Sequence, residues 1–293
     1  MSRALNWERE GSIWPHRASS RFVDCSTVRW HVQVMGEGPP LLLLHGTGAS
    51  CHSWRDVMPA LAEHYTCIAP DLPGHAFSRA SGAAMTLPRM ARELWALLDR
   101  LELSPAAIVG HSAGAAIALQ MIRDRGANFP VIGFNPALAP FPGLGSQLFP
   151  LMAKLLFVNP LVPRVFAGIA SLSGETARFL RRSTNSRIDA AGLHCYEVLL
   201  GNAGHCRAAL AMMANWDLEP LQRYLVDLQG PVLLVHSERD EAIPLASVRK
   251  AAERLPDAQL EVLPGLGHLA HEERPAEAAE HIRRFLDARA KVA

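Results

Sequence analysis

The sequence predicts an α/β fold, a mainly parallel sheet with helices on both faces, interrupted late in the chain by a helical cap. Three observations carry this. Short, mostly apolar runs bounded by Gly, Pro or Asp recur along the 293 residues, as strands buried on both faces should. Between them lie segments with apolar residues at three-and-four spacing, and such alternation implies parallel strands covered by helices. From about Pro140 to Trp216 the alternation lapses into helical composition, over a length no ordinary connection needs.

Taken in order, "VRWHVQVM" (Val28–Met35) alternates apolar and polar, as a half-buried strand does. Leu41–Gly46, Thr66–Asp71, Ala107–Gly110, Val131–Phe134, Pro231–His236 and Gln259–Leu263 are the short buried-strand candidates. Leu87, Met90, Leu94, Leu97, Leu98 and Leu101 fall on one helical stripe, and so do Ile282, Phe285 and Leu286. The expected division is a core of residues 1–139 and 217–293 with a helical cap of residues 140–216 above the strand ends. The cap stretch "LFPLMAKLLFVNPLVPRVFAGIASL" reads three ways: it lines an apolar pocket, it buries the cap against the core, or it rests on a membrane surface, which its few basic residues disfavour. The cap's Arg178, Arg181, Arg182 and Arg187 likewise meet a carboxylate or form a solvated face.

Composition narrows the function. With 49% hydrophobic residues, 19% charged residues and a formal charge of +1, the chain is a soluble globular type with no basic bias toward nucleic acid. Its five cysteines (25, 51, 67, 195 and 206) are scattered without a C-x-x-C spacing, which argues against a disulfide framework or zinc ribbon and for a reducing compartment. The N-terminus carries charges throughout and does not read as a secretory signal. Leu148–Ala170 is broken by Lys154, Asn159, Arg164 and three prolines, too interrupted for a membrane span. A cytoplasmic protein without a transmembrane segment is expected.

The chemistry begins at "IVGHSAGAAIAL" (Ile108–Leu119). Gly110-His111-Ser112-Ala113-Gly114 is G-x-S-x-G between a predicted strand and a predicted helix, the context of a nucleophile elbow that lifts a serine to the top of a sheet. A serine hydroxyl needs a base, and the base an orienting acid. Asp240 follows one late strand and His268 the next, in the chain order this topology requires. Asp240 is preferred to Glu238 because it comes later in the loop, and His268 to His271 because it directly follows Gly265 and Gly267. A metal reading of His268, His271 and Glu272 lacks a supporting ligand pattern such as H-E-x-x-H, and no cofactor motif is found. The oxyanion hole falls to the backbone N–H groups of Ala113 and of Thr47 in "HGTGAS", with His45 as a structural residue of that loop.

With these residues in place, "LLLLHGTG", "APDLPGHAFS", "IVGHSAGAA", "VLLVHSERDEAIP" and "GLGHLAHEERP" resemble the motifs of the α/β-hydrolase superfamily, in family order and over nearly the whole chain. The resemblance implies the α/β-hydrolase fold, with the cap inserted after the sixth strand, and hydrolysis of an ester-like bond. Two departures stand out: Ser237 where glycine often precedes the acid, and Ala76 where "DLPGHG" is usual. More narrowly, "NWEREGSIWPHRASSRFV" and "VRWHVQVMGEGPPLLLLHGTGASCHSWRD" resemble the magnesium-chelatase accessory proteins (BchO) of bacteriochlorophyll biosynthesis. That likeness implies a role around magnesium insertion into protoporphyrin IX, chelatase subunits as partners, and a place near the photosynthetic membrane. It leaves two classes open. One is a serine hydrolase; the other is a non-catalytic protein that holds a tetrapyrrole or docks on a chelatase while retaining its triad. The N-terminal Trp7 and Trp14 are a docking surface, or pack across the core.

Overall fold

Four consecutive leucines set the architecture. Side chains alternate across a strand, so Leu41 and Leu43 leave one face of β3 (Pro40–Leu44) and Leu42 and Leu44 the other. All four are fully buried, in two separate apolar clusters, so both faces of the sheet must be covered. Each such leucine contributes roughly 1.5–3 kcal/mol of transfer free energy.

A computed structural model describes residues 4–82, 85–140, 159 and 161–290. Its N-terminal segment carries α1 (Trp7–Glu10) and leads to β1 (Ser20–Cys25) and β2 (Val28–Met35). After β3 come α2 (Met58–Ala62), β4 (Thr66–Pro70), the two-residue β5 (Arg79–Ala80), α3 (Leu87–Arg100), β6 (Ala107–His111), α4 (Ala113–Arg125) and β7 (Val131–Phe134). Helices α5 (Val162–Ala170), α6 (Glu175–Thr184), α7 (Ala190–Leu200) and α8 (Ala203–Ala214) follow β7, which is the sixth strand only when the two-residue β5 is left out of the count. The chain then forms α9 (Glu219–Tyr224), β8 (Val232–Ser237), α10 (Leu245–Ala252), β9 (Ala258–Leu263), α11 (Ala270–Glu273) and α12 (Pro275–Ala290).

Among the described residues the strands make one nine-stranded sheet in the order β1-β2-β4-β3-β6-β7-β8-β9, with β5 beside β2. From β4 to β9 along that order every pairing is parallel, while β2 runs antiparallel to β1, β4 and β5. Leu94 of α3, Ile117 of α4, Leu221 of α9 and Val248 of α10 join the cluster on one face. Met58 and Leu61 of α2 and Ile282 and Phe285 of α12 join the other, together with Leu5 and Trp14. The N-terminal segment therefore packs across the core: Trp14 is buried, and the Trp7 ring lies 4.7 Å from His31 and 4.8 Å from Phe77.

The stretch 148–172, read as pocket lining, packing or a membrane-resting surface, lies partly outside the described residues (148–158 and 160). Its described part buries Pro163, Ala167 and Ala170 but leaves Leu161, Val165, Ile169 and Leu172 exposed. Arg178, Arg181, Arg182 and Arg187 are exposed, with Arg178 paired to Glu175. Among the described residues no helix is long and apolar enough to cross a membrane. Parallel strands all end on one edge, and β3, β6, β8 and β9 deliver the loops carrying Thr47, Ser112, Asp240 and His268 to that edge.

Candidate active site

Ser112 sits between β6 and α4 with φ +53° and ψ −116°, a conformation that costs about 1–3 kcal/mol and persists only where its surroundings impose it. The two motif glycines explain how. A Cβ on Gly110 would stand 2.4 Å from the Ala115 nitrogen, and one on Gly114 would stand 2.3 Å from the Leu44 carbonyl oxygen. Helix and strands therefore meet backbone to backbone, and the turn between them closes on the serine. Ser112 N–H donates to the Phe134 carbonyl at 2.9 Å, which anchors the elbow to β7.

His268 and Asp240 are brought together as the sequence predicts: His268 Nδ1 lies 2.8 Å from Asp240 Oδ2. Asp240's carboxylate also accepts from Asn135 Nδ2 at 2.8 Å and from the backbone N–H groups of Ala242 and Ile243 at 2.8 and 3.0 Å. Burial raises such a carboxyl, but hydrogen bonding and the His268 ring outweigh it and hold Asp240 below its ordinary value. An ionised Asp240 accepts a hydrogen bond from His268 Nδ1–H, which leaves Nε2 as the atom with a lone pair. Glu238 is exposed and instead accepts from Gly265 N–H at 3.0 Å, tying the two loops together. His271 is fully buried on α11, its ring 4.5 Å from that of Trp54.

Residues 46–49 form a tight turn closed by Ala49 N–H to the Gly46 carbonyl at 3.2 Å, with Gly48 at φ +78°, where a turn of this kind favours glycine. A Cβ on Gly46 would lie 3.1 Å from Ser112 Cβ, so this loop rests directly against the serine. Ala113 opens α4, where backbone N–H groups have no partner within the helix. His45 is structural, as expected: its Nδ1–H donates to the Gly46 carbonyl at 2.7 Å, and its Nε2 accepts from Leu72 N–H at 2.8 Å.

Four supporting residues were not anticipated as such. His111 Nε2–H donates to the His268 carbonyl at 2.9 Å, joining the residue before the serine to the predicted base. Burial, with His268 beside it, pushes the His111 imidazole down to about 3, so it stays neutral. Asn135, at φ +45° after β7, orients Asp240, and Ser237 in turn donates to Asn135 Oδ1 at 3.2 Å. The unusual Ser237 thus acts behind the acid. Thr184 completes the set: its carbonyl receives His268 N–H at 2.7 Å, while a Cβ on Gly267 would stand 2.4 Å from the Asn185 carbonyl oxygen. His111 and Ser237 stand beside motif residues, whereas nothing in the sequence around Asn135 or Thr184 marks them.

One group among the described residues has metal-ligand chemistry: His31, Cys51 and Asp71, all buried. It is closed by its own bonds. Asp71 Oδ2 faces His31 Nδ1 at 2.8 Å and Phe77 N–H at 3.2 Å, and Oδ1 accepts from Cys51 N–H at 2.9 Å. The carboxylate that a cation would need is already satisfied by donors.

The model for "Alpha/beta hydrolase family" matches residues 41–281. The chain belongs to the alpha/beta hydrolase family. This alpha/beta hydrolase is 41% identical over 266 residues, 88% of the chain and 91% of the relative, to the "Magnesium-chelatase 30 kDa subunit" of Rhodobacter capsulatus. It is 29% identical to a "Pimeloyl-[acyl-carrier protein] methyl ester esterase" of Xanthomonas oryzae pv. oryzae, covering 85% of the chain and 97% of that relative. Among solved structures, "Epoxide hydrolase CorEH without ligand" superposes with a TM-score of 0.78 at 24% identity, over 92% of this chain and 98% of that one. This last likeness speaks for the fold alone.

Proposed function

We propose that this alpha/beta hydrolase is a serine hydrolase that cleaves an ester-like bond, in the service of magnesium insertion during bacteriochlorophyll biosynthesis. Ser112 Oγ attacks the carbonyl carbon while Nε2 of His268 takes its proton, and Asp240 stabilises the resulting imidazolium. The N–H groups of Thr47 and Ala113 hold the oxyanion. Collapse expels the alcohol, which receives the proton from His268, and leaves an acyl group on Ser112. Water, activated by the same imidazole, then releases the acid and restores the hydroxyl. Residues 140–216 serve as a cap over this edge of the sheet, and chelatase subunits and a tetrapyrrole-derived ester are the partner and substrate of this reading. The chain acts beside the photosynthetic membrane.

The observation that supports this most is the 2.8 Å contact of His268 Nδ1 with the buried, four-fold hydrogen-bonded Asp240, which reserves Nε2 for a proton. A fluorophosphonate probe tests it: labelling and hydrolysis of a p-nitrophenyl ester are expected for the native chain, and loss of both by a factor of at least ~10³ for Ser112→Ala. Undiminished turnover by Ser112→Ala rejects the mechanism.

One fact favours the second reading, a chelatase accessory that performs no hydrolysis: the 41% identical relative is named as a subunit of that assembly. Folded native protein that takes no label, yet is retained by chelatase subunits, would select it.

A further inference from the structure

The loop beside Ser112 is held from two sides by imidazoles. His45, from the core, joins the Gly46 carbonyl to Leu72 N–H, donating through Nδ1 and accepting at Nε2. His205, from the first turn of α8, repeats the arrangement one step along both loops. Ala76 N–H donates to its Nδ1 at 3.0 Å, so its Nε2 carries the proton and donates to the Gly48 carbonyl at 3.0 Å. The two rings adopt opposite tautomers because their partners are reversed. Between them lies His75, 5.5 Å from the His45 ring and 5.3 Å from the His205 ring.

His205 is well placed for this work. Asn202 caps α8, its side chain accepting from Gly204 and His205 N–H at 3.0 Å each, which fixes the backbone that carries the ring. Ala208 and Met212 share its helix face. A Cβ on Gly74 would lie 2.9 Å from Ala208 Cβ, and Thr47 Oγ1 lies 3.5 Å from Met212 Sδ. This face of α8 is thus seated on the two loops, and His205 makes its hydrogen bonds to their backbone. Burial pushes this imidazole down to about 4, keeping Nδ1 free to accept. Ala76, the non-glycine at φ +43°, is the residue His205 restrains.

We propose that His205 is a positioning residue for the oxyanion loop: from the inserted helix α8, it locks Gly48 and Ala76 together and so aims the Thr47 amide at the carbonyl above Ser112. The claim rests on the serine-hydrolase reading for its catalytic part only; its geometric part is independent. An amide misplaced by about 1 Å can cost 10²-fold, and loss of one oxyanion donor costs about 10²–10³.

The test compares His205→Phe, which fills the space without the polar atoms, His205→Ala, and His205→Gln, whose amide can donate and accept like the imidazole. With p-nitrophenyl acetate, His205→Phe and His205→Ala are expected to lose 10- to 100-fold in kcat with KM within about twofold, and His205→Gln to recover to within about fivefold. By hydrogen exchange, amides of residues 46–49 and 74–78 should exchange at least tenfold faster in the Phe and Ala variants and near the native rate in the Gln variant. Native kcat in His205→Phe, a loss confined to KM, or an equal loss in all three variants overturns the catalytic part. Unchanged exchange in folded Phe and Ala variants overturns the whole proposal. Native protein without Ser112-dependent turnover defeats the hydrolase reading instead, and the exchange data still decide whether His205 holds the loop. Where the Phe variant fails to fold, the Ala and Gln pair carries the comparison.

Discussion

At the residue scale, Ala76 shows how a departure from a family pattern is absorbed. The loop keeps the left-handed φ that glycine would adopt freely, so alanine bears strain of roughly 1–2 kcal/mol. Glycine would relieve it while adding about 0.5–1 kcal/mol of chain entropy to the unfolded state. Ala76→Gly is therefore expected to stabilise the protein by about 0.5–1 kcal/mol, read from denaturant midpoints at unchanged slope. A destabilised variant would mean that the methyl group earns contacts we have not credited. The same scale shows what was legible beforehand. Ser112, Asp240 and His268 could be singled out as candidates because each sits in a motif whose order the topology dictates. His111, Asn135 and His205 could not, since their roles depend on hydrogen-bond partners 157, 105 and 129 residues distant.

At the scale of elements, the buried strands were legible because both faces are apolar. Val28–Met35 is found with the expected bounds, and Leu87–Leu101 becomes α3 within one residue of its predicted end. The missed strand β1 has an irregular burial pattern on the sheet's edge, and β5 is two residues long, so neither carries a period to detect. Also invisible was the ionic joint between elements. Arg55, before α2, is 3% exposed and meets fully buried Glu272 of α11 and Asp189, the N-cap of α7, each at 2.7 Å. Tyr196 of α7 gives Glu272 its second donor at 2.7 Å. Desolvating these charges is costly, and removing one partner strands the other. Arg55→Met is expected to lose about 3–5 kcal/mol in urea unfolding, and Arg55→Met combined with Glu272→Met to regain most of it. If the double variant is no better than the single, the loss comes from shape and not from an orphaned charge.

At the scale of the whole molecule, the inward-facing histidines make folding a proton-linked event. His45, His52, His75, His111, His205 and His271 are buried, and burial lowers each below its ordinary 6.5, His111 to about 3 and His205 to about 4. At these six positions the unfolded chain therefore takes up protons as pH falls through 6.5, whereas the folded chain takes them up only at lower pH. The state with more bound protons gains as pH drops, so each such group lowers stability from about pH 6.5 downward by up to about 1.4 kcal/mol per pH unit. Among the described residues Glu272 alone opposes this, its carboxyl raised by burial to about 7. His111 and His205 alone supply at least about 2 kcal/mol between pH 6 and pH 5, a large part of the 5–15 kcal/mol that holds a typical domain together. Asp240 acts elsewhere: its lowered carboxyl adds stability above its ordinary 3.8 and loses it only as pH falls below that value. Urea unfolding at pH 7, 6 and 5 should show this as a steep fall below pH 6.5, and His205→Gln should flatten it by about 1 kcal/mol per pH unit. A flat profile from pH 7 to 5 would mean these imidazoles reach water or a counter-charge in the folded chain, and the two-histidine hold on the loops would lose its physical basis.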